Sequence, residues 1–146
     1  MTINEPTIRV CVVEDDPTDL LLIEEMLRGS DRTQYSVEHI SSFDDALHRL
    51  IDAQCDVLLL DFFLGKHTAR DLLLEAKKTH LAVPIIVLTG LESEALDDEV
   101  IELGASDYLP KGSISRPLLE RTIRHAIRHK KAELELEKLV KQDPLT

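Results

Sequence analysis

The sequence predicts an α/β protein: a doubly wound, five-stranded parallel sheet made of five β–α repeats, with an extended C-terminal helix. Three observations predict this class. Short apolar runs alternate five times with amphipathic helical patterns along the 146 residues. Residues 57–60 (VLLL) are apolar on both faces, which is typical of a strand buried in a parallel sheet. Hydrophobic residues make up 43% of the chain and Trp is absent, so the predicted core is aliphatic.

Caps, prolines and glycines in the sequence mark several of the predicted element boundaries. Asp16 and Pro17 supply an N-cap and a first-turn proline for the first helix, which fades near Gly29. Pro84 follows the end of the third helix and opens the fourth strand, and Gly104 closes the fourth helix. We therefore predict strands at residues 8–13, 35–40, 57–60, 84–88 and 106–109, and helices at 17–28, 43–51, around 72–76, at 95–103 and from 115 onward.

The last helix is longer than a sheet can cover. Its early apolar positions should pack on the sheet, and its later ones should lie beyond it. A lone amphipathic extension is marginal in water, which favours a partner helix and a coiled-coil homodimer over a frayed tail. The first set is Leu119, Ile123, Ala126 and Ile127, and the second is Leu134, Leu136, Leu139 and Val140.

Charge and hydropathy exclude several classes of protein. The net charge is −11, and residues 116–141 hold eight basic side chains against four Glu. The rest, with nine basic and 24 acidic side chains, carries −15 and repels nucleic-acid phosphates. The basic stretch is interleaved with acids at helical spacing, which favours a solvated helix over a nucleic-acid patch. With no membrane-spanning run and no leader pattern, we expect a cytoplasmic protein that binds neither nucleic acid nor membrane.

The two cysteines, Cys11 and Cys55, lie in apolar, strand-like contexts without paired spacing. Buried, reduced thiols are favoured over a disulfide or a metal site.

Polar residues follow the ends of four predicted strands. The carboxyl ends of parallel strands open on one edge, so Glu14, Asp15 and Asp61 should converge there. Their oxygens suit Mg²⁺, which prefers a few carboxylates with waters and phosphate oxygens. Thr89 adds a hydroxyl and Lys111 a mobile cation suited to a phosphoryl group. This is the electrostatic frame for phosphoryl transfer to a carboxylate, with Asp61 as nucleophile.

The same arrangement resembles the receiver domain of two-component response regulators, a flavodoxin-like fold. The likeness spans residues 7 to 130 and is carried by the order and spacing of its motifs, with 28 residues from Asp61 to Thr89 and 22 from there to Lys111. The motifs are VVEDDP at 12–17, LLLD at 58–61, VLTG at 87–90 and GASDYLPK at 104–111.

The resemblance implies that Asp61 accepts a phosphoryl group from the phosphohistidine of a sensor histidine kinase. It implies that Asp15 and Asp61 bind Mg²⁺, with Glu14 acting through water and Phe63 through its backbone carbonyl. It also implies a switch in which Thr89 moves toward the phosphoryl group and Tyr108 turns from exposed to buried. An edge residue that never switches is the alternative for Tyr108.

The chain departs from the family pattern in two places. Leu64-Gly65 stands where Met-Pro is frequent, and Gly112 follows Lys111 where proline is usual. Phe63 and Leu91 occupy positions that flank the path of hydrolytic water in receivers. Because both are apolar, we expect slow self-dephosphorylation.

The tail Asp143-Pro144-Leu145-Thr146 looks like the entry to a GGDEF diguanylate cyclase domain. We expect residues 1–130 to form the receiver and 131–146 a helical linker and the start of a missing output domain. A tail in which Asp143-Pro144 merely ends the helix is the alternative. No GGDEF catalytic residues are present, so this segment itself is expected to be a signalling domain rather than an enzyme.

Three other interpretations compete. Aspartate-nucleophile phosphatases of the haloacid dehalogenase type carry a second Asp two positions after the first, where this chain has Phe63. A stand-alone receiver could relay phosphate or dock a partner without an effector. A degenerate receiver is opposed by the retained acids, Thr89 and Lys111. Four further acids are interpreted as helix caps or surface charge: Asp16, Asp19, Asp44 and Asp45. The six His residues are interpreted as surface residues.

Overall fold

The computed structural model describes residues 7–52, 54–90 and 94–141. Its elements follow the predicted order, with two short strands and a 3₁₀ turn added. The strands are β1 Ile8–Val13, β2 Tyr35–Ile40, β3 Val57–Asp61, β4 Phe63–Leu64, β5 His67–Thr68, β6 Ile85–Thr89 and β7 Asp107–Pro110. The helices are α1 Pro17–Arg28, α2 Phe43–Ile51, α3 Ala69–Thr79, α4 Glu94–Glu102, the 3₁₀ turn Lys111–Ser113 and α5 Arg116–Lys141.

The main sheet confirms the predicted fold class. Its strand order is β2-β1-β3-β6-β7, and every neighbouring pair is parallel. The chain adds β2 on one side of β1 and the later strands on the other side, which makes the sheet doubly wound. Because all five strands are parallel, their carboxyl ends lie on one edge.

Two apolar cores lie on opposite faces of the sheet because successive side chains of a strand point to opposite sides. The α1/α5 core includes Val57 and Leu59 of β3 together with residues of helices α1 and α5. The α2–α4 core includes Leu58 and Leu60 of the same strand together with residues of α2, α3 and α4. Cys11 and Cys55 are buried free thiols in the second core, as predicted.

Local signals explain the helix boundaries. Asp16 is the N-cap of α1 and its side chain accepts a hydrogen bond from the Thr18 N–H at 2.9 Å, with Pro17 at the first position. Ser42 caps α2 by accepting from the Asp45 N–H at 3.1 Å. These two helices begin at the residues that the sequence predicts.

A small hairpin between β3 and α3 was not predicted. Strands β4 and β5 pair antiparallel, Phe63 with Thr68 and Leu64 with His67. Gly65 has φ +58°, a conformation that glycine adopts without steric cost, and it makes the tight turn possible. Two-residue strands are too short to show a period in sequence.

Helix α5 lies partly as predicted. Leu119, Ile123 and Ala126 are buried against the sheet, and Ile127 is partly buried beside them. Leu134, predicted to lie beyond the sheet, is half-buried and lines a cavity of about 290 Å³ with residues of α3 and the start of β6. Leu136 and Leu139 are exposed, as expected.

Within residues 7–52, 54–90 and 94–141, no helix has the length and apolar character needed to cross a bilayer.

Candidate phosphoryl-acceptor site

Four strand ends meet at one edge of the sheet. The register pairs Val13 with Leu60, Asp61 with Leu88 and Thr89 with Pro110. Glu14, Asp61, Thr89 and Lys111 therefore follow one another around this edge, as expected for a parallel sheet.

One ammonium group joins three carboxylates at this edge. Lys111 Nζ lies 2.8 Å from Glu14 Oε2, 3.0 Å from Asp61 Oδ1 and 3.0 Å from Asp19 Oδ2. The 3₁₀ turn after β7 places the lysine here, and all peptide bonds in the described residues are trans, including the one before Gly112. The glycine that replaces the usual proline does not prevent Lys111 from reaching the acids.

The burial of this cluster perturbs its protonation. Burial raises the pKa of Asp61 to about 6, with the hydrogen bond from Lys111 opposing the rise and the Glu14 charge adding to it. Burial alone would lower the pKa of Lys111, but its hydrogen bonds to Glu14, Asp19 and Asp61 outweigh that effect and raise it. Lys111 is therefore cationic at neutral pH, and Asp61 is ionised above about pH 6.

Glu14 is fixed at both its side chain and its backbone. The side chain is 1% exposed, and Oε1 accepts a hydrogen bond from the Asp16 N–H at 3.1 Å. The Glu14 carbonyl lies 2.8 Å from Nε2 of His39. His39 is exposed, as predicted for the histidines, but its ring also supports the backbone of the site.

Thr89 and Tyr108, the predicted switch pair, lie on neighbouring strands. Thr89 is 1% exposed, and its hydroxyl has no hydrogen-bond partner among the described residues. Tyr108 is half-buried against the α2–α4 core and pairs in register with Val87. A buried hydroxyl without a partner is costly, and a ligand oxygen would satisfy it.

The other predicted site residues are more open. Asp15 is exposed. Phe63 has 58% of its surface exposed, and its ring stands edge-on against Phe62 with ring centres 4.9 Å apart. Leu91 lies outside the described residues.

Asp19 is the residue that the sequence analysis misplaced. It was interpreted as a cap or surface charge, but it binds Lys111 and is only partly exposed. The signal in the sequence is its position in the first turn of α1, three residues after the acidic run that contains Asp15, because side chains of a helix point back toward its N-terminus and so toward the strand end.

The donor set fits a hard divalent cation. Lys111 brings one positive charge to three carboxylates, so the cluster keeps an excess of negative charge, and Asp15 lies next to it in sequence. Within the described ranges no three His, Cys, Asp or Glu side chains form a ready cage. Mg²⁺ commonly takes one or two carboxylates and completes its shell with water and phosphate oxygens, so the residues present are sufficient.

The chain matches one protein family and several curated proteins. The family described as response regulator receiver domain matches residues 10–124. The transcriptional regulatory protein CpxR of Klebsiella pneumoniae subsp. pneumoniae is 37% identical over 113 residues, which is 77% of this chain and 47% of the relative. ZraR of Salmonella typhimurium, also named a transcriptional regulatory protein, is 30% identical over 122 residues, 84% of this chain and 27% of the relative. The chain thus spans about half the length of these relatives or less.

Among solved structures, the BeF3-activated N-terminal receiver domain of Klebsiella pneumoniae RstA superposes with a TM-score of 0.70 at 30% identity. The match covers 82% of this chain and 98% of that one.

Proposed function

The chain belongs to the response regulator receiver domain family of two-component signalling, and from that premise we propose that Asp61 is its phosphoryl acceptor. The observation that carries the proposal is the contact of the Asp61 carboxylate with Lys111 at 3.0 Å, at the end of a fully buried strand. A receiver is a signalling domain whose partner is a sensor histidine kinase.

The transfer is a displacement at phosphorus. A carboxylate oxygen of Asp61 forms the new O–P bond, the P–N bond of the donor phosphohistidine breaks, and its electron pair stays on the imidazole nitrogen. Asp61 is mostly ionised at neutral pH because its raised pKa of about 6 is still below that pH. Lys111 stabilises the negative charge on the phosphoryl oxygens, and the Thr89 hydroxyl donates a hydrogen bond to one of them.

Mg²⁺ would be held by Asp15 and Asp61, by Glu14 through water and by the backbone carbonyl of Phe63. When bound, it neutralises charge on the phosphoryl oxygens and on the clustered carboxylates. The excess negative charge around Lys111 supports this assignment.

The proposed switch follows from the unsatisfied hydroxyl of Thr89. A phosphoryl oxygen near Asp61 offers it an acceptor, and its movement vacates space for Tyr108, which is half-buried one strand away. The affected surface is formed by α4, β7 and α5.

The direct test is phosphorylation by a small acyl phosphate donor. We expect a Mg²⁺-dependent gain of one phosphoryl group, stable in acid and labile in base. Asp61→Asn should abolish it, whereas Asp52→Asn, at an exposed carboxylate at the end of α2, should leave it intact. No mass gain with any donor, or an equal gain in Asp61→Asn, would show that Asp61 is not the acceptor.

For the output we propose a phosphorylation-controlled effector joined through α5, with residues 1–130 as receiver and 131–146 as linker. The resemblance of residues 143–146 to a GGDEF entry supports a diguanylate cyclase; these residues lie outside the described ranges. The names of CpxR and ZraR instead favour a transcriptional output. A stand-alone receiver is the remaining candidate.

Measurements of output activity in the intact protein distinguish these candidates. A cyclase output requires cyclic dinucleotide synthesis that differs between wild type and Asp61→Ala, and a transcriptional output requires DNA binding that differs in the same way. The negative charge of the receiver predicts that this segment alone does not retain DNA.

A further inference from the structure

Three carboxylates surround the ammonium of Lys111 in the unphosphorylated protein, and the contact with Asp19 Oδ2 is a hydrogen bond of 3.0 Å. An ammonium has three donors, and three carboxylate oxygens lie 2.8–3.0 Å from it. A phosphoryl oxygen that binds Lys111 competes with these carboxylates for the ammonium, and directly with Asp19 for the donor that it holds.

The three carboxylates differ in how readily they can withdraw. The side chain of Glu14 is 1% exposed, so losing the lysine would leave its buried charge uncompensated, whereas Asp61, 12% exposed, stays beside Lys111 because it carries the phosphoryl group. Asp19 is 31% exposed. It also lies in the first turn of α1, where the helix dipole and water stabilise a free carboxylate.

We propose that Asp19 competes with the phosphoryl group for Lys111, so that it stabilises the unmodified receiver and releases the lysine on phosphorylation. The proposal rests on the assignment of Asp61 as phosphoryl acceptor. It gives Asp19, which belongs to none of the family motifs quoted above, the role of a positioning residue that sets the balance between the two states.

Release of Lys111 from Asp19 also breaks a contact between two elements of the fold. Lys111 and Asp19 link the turn after β7 to the start of α1, across 92 positions of sequence. Leu22, Met26 and Ile114 line a small gap of about 30 Å³ beside this ion pair. Breaking the ion pair removes the polar contact between these two segments and leaves their apolar packing.

The test is the affinity for beryllofluoride at saturating Mg²⁺. Asp19→Asn should bind it about three- to fivefold more tightly, the size expected when a competing, partly exposed ion pair is removed. Asp19→Ala serves as a second variant. Glu25→Gln removes one charge from the same helix at an exposed position and should leave the affinity unchanged.

A double-mutant cycle separates competition from simple charge repulsion. In a Lys111→Met background there is no ammonium to compete for, so Asp19→Asn should no longer tighten binding. An unchanged or weaker affinity in both Asp19 variants would overturn the proposal, and so would equal tightening with and without Lys111. If wild type does not bind beryllofluoride in a manner that Asp61→Asn abolishes, the phosphoacceptor assignment fails as well.

Discussion

At the scale of single residues, the ionised carboxylate of Asp61 lowers the free energy of unfolding because it is buried. Its pKa is about 6 in the folded protein against an ordinary value of 3.8, so the folded chain disfavours the ionised form. A raised acid pKa means that the folded state binds more protons than the unfolded state between these two values. Stability then falls as pH rises through that window and stays low above it.

Asp61→Asn should therefore stabilise the protein at pH 7.5 in the presence of a chelator, by up to about 3 kcal/mol. The gain should be much smaller near pH 4, where Asp61 is protonated in the folded state and about half protonated in the unfolded one. Urea unfolding at the two pH values measures it. An equal gain at both values, or a loss at pH 7.5, would contradict this prediction. Added Mg²⁺ should reduce the gain, because the cation favours the ionised carboxylate of wild type.

We expect Phe63 to influence a second property of the site, the lifetime of the phosphoryl group. Its exposed ring stands two residues after Asp61 and offers water no hydrogen bond. Phe63→Asn should accelerate loss of the phosphoryl group roughly tenfold by orienting a water molecule. Phe63→Leu, which keeps an apolar side chain, should retain the slow rate. Decay followed by intact-protein mass measurement would reveal the difference, and equal lifetimes for wild type and Phe63→Asn would disprove the idea.

The sequence predicts part of this site and misses part of it, for a physical reason. Glu14, Asp61 and Lys111 are predictable because each lies at the end of a strand or directly after it, and parallel strands end together. Asp19 and His39 are not, because a helix-turn carboxylate and an exposed histidine have ordinary surface roles in most proteins. Only the three-dimensional approach of α1 and β2 to the strand ends brings them to the site.

At the scale of elements, the end of α1 is tied to the start of α5 through a glycine. Arg116 Nε donates a hydrogen bond to the Met26 carbonyl at 2.8 Å, and its guanidinium lies over Gly29. A β-carbon at Gly29 would overlap the guanidinium. Since Gly29 has φ −82°, its role is to leave room for the arginine rather than to adopt a special backbone conformation.

Gly29→Ala should cost about 1 kcal/mol of unfolding free energy because it displaces Arg116 from the carbonyl groups that end α1. Arg116→Ala should cost a similar amount, and the double variant little more than either alone. Gly112→Ala, at a position with open space and no strained backbone, is the matched control. Fully additive costs in urea unfolding would rule out this explanation.

The elements that the sequence does not predict are the shortest ones. The β4–β5 hairpin and the turn at Lys111–Ser113 contain too few residues to show a hydrophobic period, so tertiary contacts determine them. The long strands and helices have a clear period, and their bounds agree with prediction to within a residue or two, except that α3 extends three residues beyond the predicted 72–76 at each end.

At the scale of the whole molecule, the extension of α5 is the surface most suited to self-association. Leu136 and Leu139 are 63% and 66% exposed, and in the described part of the chain nothing covers them. Leu134 is half-buried and faces a cavity beside α3 and the start of β6, so it is less available to a partner than these two leucines. We propose that the two exposed leucines meet a second copy of the helix.

Leu136→Gln with Leu139→Gln should weaken self-association without changing thermal stability of the domain by more than a few degrees. Sedimentation velocity over a range of concentrations measures the effect. Leu21→Gln, at a comparably exposed leucine on α1, should not alter it. If the double variant and wild type sediment alike, as monomers or as dimers, the extension is not the contact.

The division of the sheet into two cores has an evolutionary consequence. Adjacent residues of β3 belong to different cores, so Leu59 can change to suit α1 and α5 while Leu60 stays matched to α2–α4. Compensating substitutions should therefore arise in two sets that vary independently among descendants of this chain. The two faces of the molecule can then diverge at different rates, because each core is closed by its own helices, while the acidic edge of the sheet is common to both.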